Sequence, residues 1–424
     1  MAMSNSEEHP SSASHPVIVS RPDHNISRKD IDPDALKVLY RLHHHGHIAY
    51  LVGGGVRDLL LGRKPKDFDI STSAHPTQIR KLFSNCRLIG RRFRLAHIYF
   101  RGGKIIEVST FRTISEFNTE DGPIRSDNTF GTPEEDASRR DFTVNALFYN
   151  IADFSIIDYL DGLNDLKAGI IRCIGDPIIR FREDPIRMLR AVRFASLLGF
   201  SLDAASAAGI STLRNEIWDG AVPRILEEIV RMMDRGNSGA ALSLLHQIGL
   251  VESILPEINS HIRKAGLNEY LDILSRLDQY GRDGTILKPW LTIAVLVYPL
   301  YHSGITGLHR PDHLKSAREV LSPIAERIQI PRKIRDTIRQ SLAAQHRFFA
   351  LGDRRYSRQA ILRKSYFLDA LSLFEMIAGG TQEGRNLISS WKEIGKGVPD
   401  RAPRPKRRRK RRRGPSPNQP SIPR

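Results

Sequence analysis

Apolar positions follow two different periods along the chain, and the change falls near residue 165. Before it, short apolar runs alternate with turns rich in glycine and proline, a pattern typical of strands and short helices. After a turn-rich junction at residues 159–169, apolar residues recur at helical spacing up to about residue 396. The sequence therefore predicts a first part that contains a sheet and a second part that is mainly helical.

The two ends of the chain lack this periodicity. Residues 1–26 are rich in Ser, His and Pro, and residues 400–424 are rich in Arg, Pro and Ser. We predict that both segments are disordered, because neither contains enough apolar surface to bury. The first helix is predicted to begin with Asp32 as its N-cap and to stop at Gly46.

Further along the sheet region, the pattern predicts a helix through Phe83 and then three strands. These strands are Cys86–Ile89, 96–100 and 104–110, and Gly102-Gly103 between the last two indicates a hairpin. Residues 112–135 are polar and lack periodicity, which predicts a mobile loop near the site described below.

Charge is concentrated at the C-terminal end. The 424 residues carry a formal charge of +18, of which residues 401–424 contribute +11, and the other 400 residues therefore carry +7. No amphipathic stretch accompanies this tail, so the balance indicates nucleic acid rather than a membrane as the partner.

Neither secretion nor membrane insertion is indicated by the sequence. The N-terminus lacks the basic and apolar regions of a signal peptide. Residues 290–301, the longest apolar run, are too few to span a bilayer and contain Pro299, so they predict a core helix. Cys86 and Cys173 are the only cysteines and lie far apart, which favours a reducing compartment. We expect a cytoplasmic protein without an integral membrane segment.

A triple-glycine turn follows the apolar strand at residues 50–52 and precedes a short helix. Gly53, Gly54 and Gly55 let the backbone approach a phosphate and offer its N–H groups, and Arg57 adds a positive charge. A glycine-rich turn alone also fits an ordinary hairpin. Its proximity to the carboxylates described next favours a phosphate site.

Two carboxylates, Asp67 and Asp69, lie on the next predicted strand, where alternation places them on the same face. Two carboxylates on one face can hold a divalent metal, and a solvated acidic edge is the alternative. Glu107 lies between Ile106 and Val108 on a later strand and is predicted to face away from both. It could reach the two aspartates or remain a solvated strand residue.

Two further segments combine charge with apolar runs. The segment 139–146 contains Arg139, Arg140 and Asp141, which could cap a helix or serve a triphosphate. A predicted helix that begins at Asp184 and ends at Gly199 carries three arginines at three-residue spacing. This stripe fits a solvated helix face, or contacts with an anion and a nucleobase edge. The arginines are Arg187, Arg190 and Arg193.

Four ordered motifs together resemble the bacterial poly(A) polymerases, relatives of the class II CCA-adding tRNA nucleotidyltransferases. They are Leu-Val-Gly-Gly-Gly-Val-Arg-Asp at 51–58, Asp-Phe-Asp at 67–69, Arg-Arg-Asp-Phe-Thr-Val-Asn-Ala at 139–146, and Glu-Asp-Pro-Ile-Arg-Met-Leu-Arg-Ala-Val-Arg-Phe at 183–194. The resemblance is strong over residues 27–260 and looser beyond them. It implies an α+β fold whose nucleotidyltransferase head, residues 27–165, has a small mixed sheet. An all-helical neck at 166–230, with a nucleobase-binding helix, and a helical RNA-binding body at 231–399 would follow.

The same resemblance implies the roles of individual residues. Asp67 and Asp69 would be catalytic ligands of Mg²⁺ in a two-metal site, and Asp141 would be the third active-site carboxylate. Whether Asp141 or Glu107 is the third carboxylate at the metals stays open. The nucleotide-contacting positions would be Gly54, Arg57, Arg140, Asp184, Arg187 and Arg190, with Asp184 and Arg187 reading the incoming base.

Poly(A) addition and CCA addition share these motifs, so the choice depends on other segments. Residues 88–97, Leu-Ile-Gly-Arg-Arg-Phe-Arg-Leu-Ala-His, look like a segment that marks the poly(A) polymerases, and the Arg-rich tail favours the same activity. We expect a template-independent enzyme that adds AMP from ATP to the 3′ ends of mRNA and of small or decaying RNA. A CCA-adding enzyme is the alternative. A non-catalytic RNA-binding protein would be expected to have lost Asp67 or Asp69, and both are present.

Overall fold

An eight-stranded sheet forms the first part of the molecule and helices form the rest, in a computed structural model that describes residues 15–90, 95–113, 130–283, 287–353 and 355–396. The predictions for residues 1–14 and for the basic tail at 400–424 lie outside these ranges, as do residues 91–94 and 114–129. The α+β prediction, with a sheet first and helices afterwards, is confirmed.

The sheet is mixed, as predicted. Its strands are β1 (Val17–Val19), β2 (Ala49–Val52), β3 (Asp69–Thr72), β4 (Cys86–Ile89), β5 (Leu95–Tyr99), β6 (Ile105–Thr110), β7 (Leu147–Asn150) and β8 (Ile156–Asp158). They lie in the order β1-β8-β7-β2-β3-β6-β5-β4. The neighbours β3 and β6 are parallel, and the other neighbouring pairs are antiparallel.

The two faces of the sheet are covered differently. Leu51 belongs to the large core that continues into the helices, whereas the next residue, Val52, belongs to a smaller cluster with Phe111 and Phe148. This is the alternation expected of a strand buried on both sides. The central strand β2 is therefore fixed from both faces, and the turn that follows it has a rigid base.

The N-terminal segment corrects one prediction. Disorder was expected up to residue 26, but Val17–Val19 form the edge strand β1, which pairs with β8 in register from Val17 beside Asp158. Ile26 is buried in the main core. A strand formed by pairing with residues about 140 positions away leaves no local periodicity to detect.

Nineteen α-helices are present in the described ranges. In the sheet region they are α1 (Pro33–His44), α2 (Gly54–Leu60), α3 (Pro76–Leu82), α4 (Pro133–Ser138) and α5 (Gly162–Ala168). The neck region contains α6 (Pro177–Glu183), α7 (Ile186–Leu198), α8 (Ala204–Leu213) and α9 (Val222–Met233). The body region contains α10 (Ser238–Gln247), α11 (Leu250–Ile254), α12 (Pro256–Ala265), α13 (Asn268–Arg282), α14 (Pro289–Ile305), α15 (His313–Arg327), α16 (Arg332–Phe349), α17 (Arg358–Leu362), α18 (Phe367–Ala378) and α19 (Gln382–Ile394).

Local sequence signals account for several helix ends. The carboxylate of Asp32 accepts hydrogen bonds from the N–H groups of Asp34 and Ala35 at the start of α1, as predicted for an N-cap. Gly199 ends α7 with φ of 75°, a conformation that glycine adopts without a steric penalty. In the segment predicted as a loop at 112–135, Thr132 and Glu135 form a capping box for α4, so helix replaces loop from Pro133 onward.

The prediction of an all-helical neck needs one correction. Two short parallel strands, β9 (Ile170–Ile171) and β10 (Ser201–Leu202), form a separate two-stranded sheet there. Two residues are too few for a strand pattern to appear in the sequence. Helix α7 packs between this small sheet and helices α9 and α10.

The apolar run at 290–301 lies in α14 and is buried in the body, as predicted for a core helix. The large hydrophobic core runs from Ile26 in the sheet region to Met376 in the body, and another cluster around Phe348 and Trp391 joins the last helices. Within the described residues, no helix is long and apolar enough to cross a membrane.

Candidate active site

A cleft of about 590 Å³ opens between the central strands of the sheet and the neck helices. Its lining combines glycines, carboxylates and arginines. It includes every residue that the sequence singled out for chemistry, namely Gly53, Gly54, Gly55, Arg57, Asp67, Asp69, Glu107, Arg140, Asp141, Asp184, Arg187, Arg190 and Arg193. Motifs separated by up to about 140 residues are thus brought together on one surface.

The glycine turn lies directly after β2 and before α2. Gly53 has φ of 70°, and a Cβ atom added to it would lie 3.1 Å from Arg140 Nη1. A Cβ atom at Gly55 would lie 3.4 Å from the carbonyl oxygen of Asp67. The positive φ therefore favours glycine at Gly53, and the side chain of Arg140 would have to shift to admit a Cβ atom there.

Arg57 is buried beneath this turn. Its Nη1 donates to Asn145 Oδ1 at 2.6 Å, and its Nε and Nη2 donate to Asp58 Oδ1 at 2.9 and 2.7 Å. The guanidinium also lies 5.1 Å from the ring centroid of Phe194 on α7. Arg57 thus joins the glycine turn to the neck.

Asp69 is the first residue of β3 and pairs in register with Glu107 on the parallel strand β6. Ile106 and Val108 are buried and Glu107 is exposed to the cleft, as the alternation predicted. Asp67 precedes the strand, which corrects the prediction that both aspartates lie on it. A short approach segment, rather than strand alternation, places Asp67 in the cleft.

The carboxylates affect one another. Asp69 faces the open cleft but is surrounded by protein atoms, and this burial, with the negative charges of Glu107 and Asp67, raises its pKa to about 6 despite the opposing charge of Arg140. Carboxylate oxygens crowded in this way match the donor set that Mg²⁺ prefers. Among the described residues, no three acidic, His or Cys side chains are already grouped closely enough to form a complete ligand set.

Asp141 has a different environment. Its Oδ2 accepts hydrogen bonds from Arg190 Nε, at 2.8 Å, and Nη2, and its Oδ1 accepts from the N–H of Phe142 and from Asn145 Nδ2. Burial alone would raise its pKa, but the charge and hydrogen bonds of Arg190 outweigh burial and hold the pKa below its usual value. In this structure Asp141 connects the sheet region to α7.

Arg140 is positioned by a carboxylate that sequence reasoning did not identify. Its Nη2 donates to Asp136 Oδ2 at 2.9 Å and to Ser71 Oγ at 3.2 Å. Asp136 is fully buried and also accepts from Arg139. The sequence predicted that the segment 139–146 could serve a triphosphate, but it did not identify Asp136 on α4 as the residue that positions Arg140.

Asp184 and Arg187 both line the cleft, but the structure gives them different partners. The two oxygens of Asp184 accept from Nη1 and Nη2 of Arg224 on α9, each at 2.9 Å. Arg187 Nη1 donates to Glu183 Oε2 at 2.9 Å and to the carbonyl of Arg180 at 2.8 Å. Arg224 is thus a further cleft residue, and no signal near Asp184 could have revealed a partner 40 residues away.

Comparison with known proteins identifies the family of this chain. Residues 49–172 match the family described as the Poly A polymerase head domain, and residues 199–262 match the family described as the Probable RNA and SrmB- binding site of polymerase A. Poly(A) polymerase I of Salmonella typhi is 39% identical over 437 residues, which cover 95% of this chain and 93% of the relative. This chain belongs to the class II tRNA nucleotidyltransferase and poly(A) polymerase family.

Members of the family differ in the nucleotides they add, and this nucleotidyltransferase is similar both to poly(A) polymerases and to CCA-adding enzymes. The CCA-adding enzyme of Lactobacillus helveticus is also 39% identical, over 249 residues that cover 58% of this chain and 60% of the relative. The crystal structure of the Bacillus stearothermophilus CCA-adding enzyme in complex with CTP is 28% identical, with a TM-score of 0.64 over 85% of this chain and 83% of that chain. The family therefore fixes the type of enzyme and leaves its product open.

In this nucleotidyltransferase the arginine stripe of α7 is not a solvated helix face. Arg190 and Arg193 lie 4.0 and 2.9 Å from the carboxylate of Glu228 on α9. Glu228 is buried, and burial lowers the pKa of Arg193 to about 10, although Glu228 opposes this change. Arg190 and Arg193 therefore form ion pairs that hold α7 against α9, and all three arginines of the stripe line the cleft.

Proposed function

We propose that this nucleotidyltransferase is a poly(A) polymerase that adds AMP from ATP to the 3′ ends of RNA and so promotes RNA turnover. The observation that carries the proposal is the extent of similarity. At the same 39% identity, poly(A) polymerase I of Salmonella typhi matches 95% of this chain and the CCA-adding enzyme of Lactobacillus helveticus matches 58%. Because the match to poly(A) polymerase I extends over nearly the whole chain, it includes the helical body, and this supports poly(A) addition.

The reaction would join the 3′ oxygen of the RNA to the α-phosphorus of ATP and release pyrophosphate. The glycine turn would hold the triphosphate through its N–H groups, because no side chain separates the Gly53 backbone from the guanidinium of Arg140. Asp136 and Ser71 fix that guanidinium before substrate arrives. Positioning and preorganised charge of this kind supply much of the rate of phosphoryl transfer.

Asp67 and Asp69 would hold the magnesium ions, with Glu107 adjacent to Asp69 in the strand register. When bound, Mg²⁺ would supply positive charge to the reacting phosphates and the attacking oxygen. The raised pKa of Asp69, about 6, reflects burial and the neighbouring carboxylates and supports this assignment. A cation at this place would relieve the repulsion among the three side chains.

The choice of base would depend on Arg187 and Asp184. Because both Asp184 oxygens already accept from Arg224, the carboxylate is held in one orientation and has limited freedom to adapt to a second base. Arg187 offers donors only. A pocket fixed in this way favours a single nucleotide, which is consistent with the use of ATP alone. We also place the enzyme in the cytoplasm, where its two free, buried cysteines would stay reduced.

Primer extension with each nucleoside triphosphate separately tests this function. A labelled RNA primer incubated with the enzyme and Mg²⁺ should give long ladders with ATP and little extension with CTP, GTP or UTP. A tRNA that lacks its CCA end serves as the second substrate. Incorporation of C, followed by a stop after three nucleotides on that tRNA, would contradict the proposal and establish CCA addition, the candidate that the similarity to the Bacillus stearothermophilus enzyme supports.

A further inference from the structure

Most cations of the cleft are neutralised by carboxylates of the same chain. The pairs within 4 Å are Arg57 with Asp58, Arg139 and Arg140 with Asp136, Arg187 with Glu183, Arg190 with Asp141 and Glu228, Arg193 with Glu228, and Arg224 with Asp184. Arg112 is engaged as well. In the described part of the chain, only Lys66 and Arg235 line the cleft without an ion pair or hydrogen bond from the side chain.

Arg235 lies in the turn between α9 and α10, and this turn is held from several sides. Arg282 Nη1 donates to the carbonyl of Gly236 at 3.1 Å, and Asn237 Nδ2 donates to Ser196 Oγ on α7 at 3.0 Å. Gly236 has φ of 76°, and a Cβ atom there would lie 2.7 Å from Arg282 Cγ. The backbone that carries Arg235 is therefore rigid, whereas its side chain is exposed and has no partner among the described residues.

Helix α13 also holds this turn in place. Asp278 of α13 accepts hydrogen bonds from the N–H groups of Ser238 and Gly239 at 2.7 and 3.2 Å, and its side chain is buried. These bonds satisfy donors at the start of α10 that would otherwise lack partners. The turn thus connects α7, which borders the cleft, to α13 of the body, and places a positive charge where neck, body and cleft meet.

We propose that Arg235 binds a backbone phosphate of the RNA primer at the mouth of the cleft. The inference rests on the proposed function only in requiring an RNA substrate, whichever nucleotide is added. Exposure distinguishes Arg235 from the groups assigned to the triphosphate. Arg57 is 4% exposed and the side chain of Arg140 is 20% exposed, so both lie deep in the cleft, whereas Arg235 belongs to the exposed surface.

Charge supports the same assignment. An arginine without an internal carboxylate keeps its full charge for a ligand, and its planar donors suit a phosphate group. RNA bound without sequence preference is held chiefly through such phosphate contacts. The salt slope is the decrease in log affinity for single-stranded RNA per unit increase in log salt concentration, and a single contact of this kind should contribute about 0.7 to it. At about 0.1 M monovalent salt this contribution corresponds to about fivefold in affinity.

The test compares Arg235→Gln, Arg235→Lys and Arg101→Gln in the full-length protein. Arg101 is a matched control, because it is also exposed and has no partner among the described residues but neither lines the cleft nor belongs to the helical body. The probe is an oligoadenylate of about 12 nucleotides, within the site sizes of single-strand binding proteins, that ends in 3′-deoxyadenosine and cannot be extended. Its dissociation constant is measured over a series of KCl concentrations, and the KM for ATP is measured at saturating extendable primer.

Arg235→Gln should weaken oligoadenylate binding about fivefold at about 0.1 M salt and reduce the salt slope by about 0.7. Arg235→Lys should retain most of both, because it keeps the charge, and Arg101→Gln should change neither. The KM for ATP should not change in any variant. A raised KM for ATP with unchanged oligoadenylate binding would assign Arg235 to the triphosphate and overturn the proposal.

Unchanged oligoadenylate affinity and salt slope in Arg235→Gln would also overturn the proposal. Circular dichroism of the variant excludes misfolding as the cause of any weaker binding. This outcome is distinguishable from failure of the proposed function. If the wild-type protein adds C and then A to a tRNA, poly(A) addition fails, while the effect of Arg235→Gln on RNA binding and its salt slope is still expected.

Discussion

Individual carboxylates of the cleft have distinct environments, although the sequence presents them as equivalent acids. Asp69 and Glu107 are neighbours across parallel strands, and Glu107 contributes to the raised pKa of Asp69. Asp141 instead uses both oxygens within the protein, to Arg190 and Asn145. A carboxylate that is already neutralised is poorly placed to bind a metal, so we favour Glu107 over Asp141 as the third acidic group at the metals.

Substitutions at these two positions should therefore have different effects. Glu107→Gln should reduce kcat by about 100-fold or more without lowering the thermal stability, because it removes a repulsive neighbour of Asp69. Asp141→Asn should lower the free energy of unfolding by about 2 kcal/mol, since it weakens hydrogen bonds to the charged Arg190. Denaturant unfolding and single-turnover extension measure the two quantities. Loss of stability in Glu107→Gln, with Asp141→Asn stable and inactive, would restore Asp141 as the metal ligand.

Residue types and motif spacing were enough to identify the groups of the cleft, but not their partners. The glycines, Arg140, Asp184 and Arg187 all line it as the sequence suggested. Arg224 and Glu228 were missed because ion pairs between separate helices depend on tertiary packing, which a local pattern does not contain. For the same reason the arginine stripe of α7 was also compatible with a solvated helix face.

At the scale of elements, the body contains a titratable contact between helices. His346 on α16 stacks on His313 of α15, with ring centroids 3.8 Å apart and planes inclined by 3°. His313 Nδ1 forms a hydrogen bond with the hydroxyl of Tyr301 on α14, at 2.8 Å. Burial, and then the charge of His313, lower the pKa of His346 to about 4, and Arg347 acts in the same direction. Three helices thus meet at a pair of neutral imidazoles.

This contact predicts a loss of stability in acid. The unfolded chain binds a proton at His346 near pH 6.5, whereas the folded protein resists protonation until about pH 4. The stabilising effect of the neutral imidazole is therefore complete above pH 6.5 and is lost as the pH falls from 6.5 towards 4. His346→Phe keeps an aromatic ring on His313 and should show a weaker dependence of unfolding free energy on pH. His43→Phe, at an exposed site, should retain the wild-type dependence, and equal slopes in all three proteins would contradict the prediction.

Element prediction succeeded where the pattern was local. Cys86–Ile89 was predicted to the residue, and the helix at α14 followed from its uninterrupted apolar run. Prediction failed for β1, β9 and β10, which are two or three residues long. Strands this short exist because a partner strand is supplied by the fold, so their own residues contain no period to recognise.

At the scale of the whole molecule, charge is divided between the chain's last residues and the rest. Residues 401–424 carry +11 and the other 400 residues carry +7, and much of the positive charge in the cleft is already paired with internal carboxylates. The cleft can therefore position the reacting groups, but within the described residues it offers few unpaired cations to hold a long RNA. Affinity for RNA should depend strongly on the basic tail.

Deletion of residues 401–424 should accordingly weaken binding of a long oligoadenylate and flatten its salt dependence. Every phosphate that the tail no longer neutralises removes about 0.7 from the slope of log affinity against log salt, so the change for several phosphates should be evident between about 50 and 200 mM KCl. A variant with the tail residues in scrambled order keeps the charge and should bind like the wild type, because backbone phosphates carry no sequence information. If the deletion leaves the salt slope unchanged, or if scrambling is as harmful as deletion, the tail has a role other than electrostatic retention of RNA.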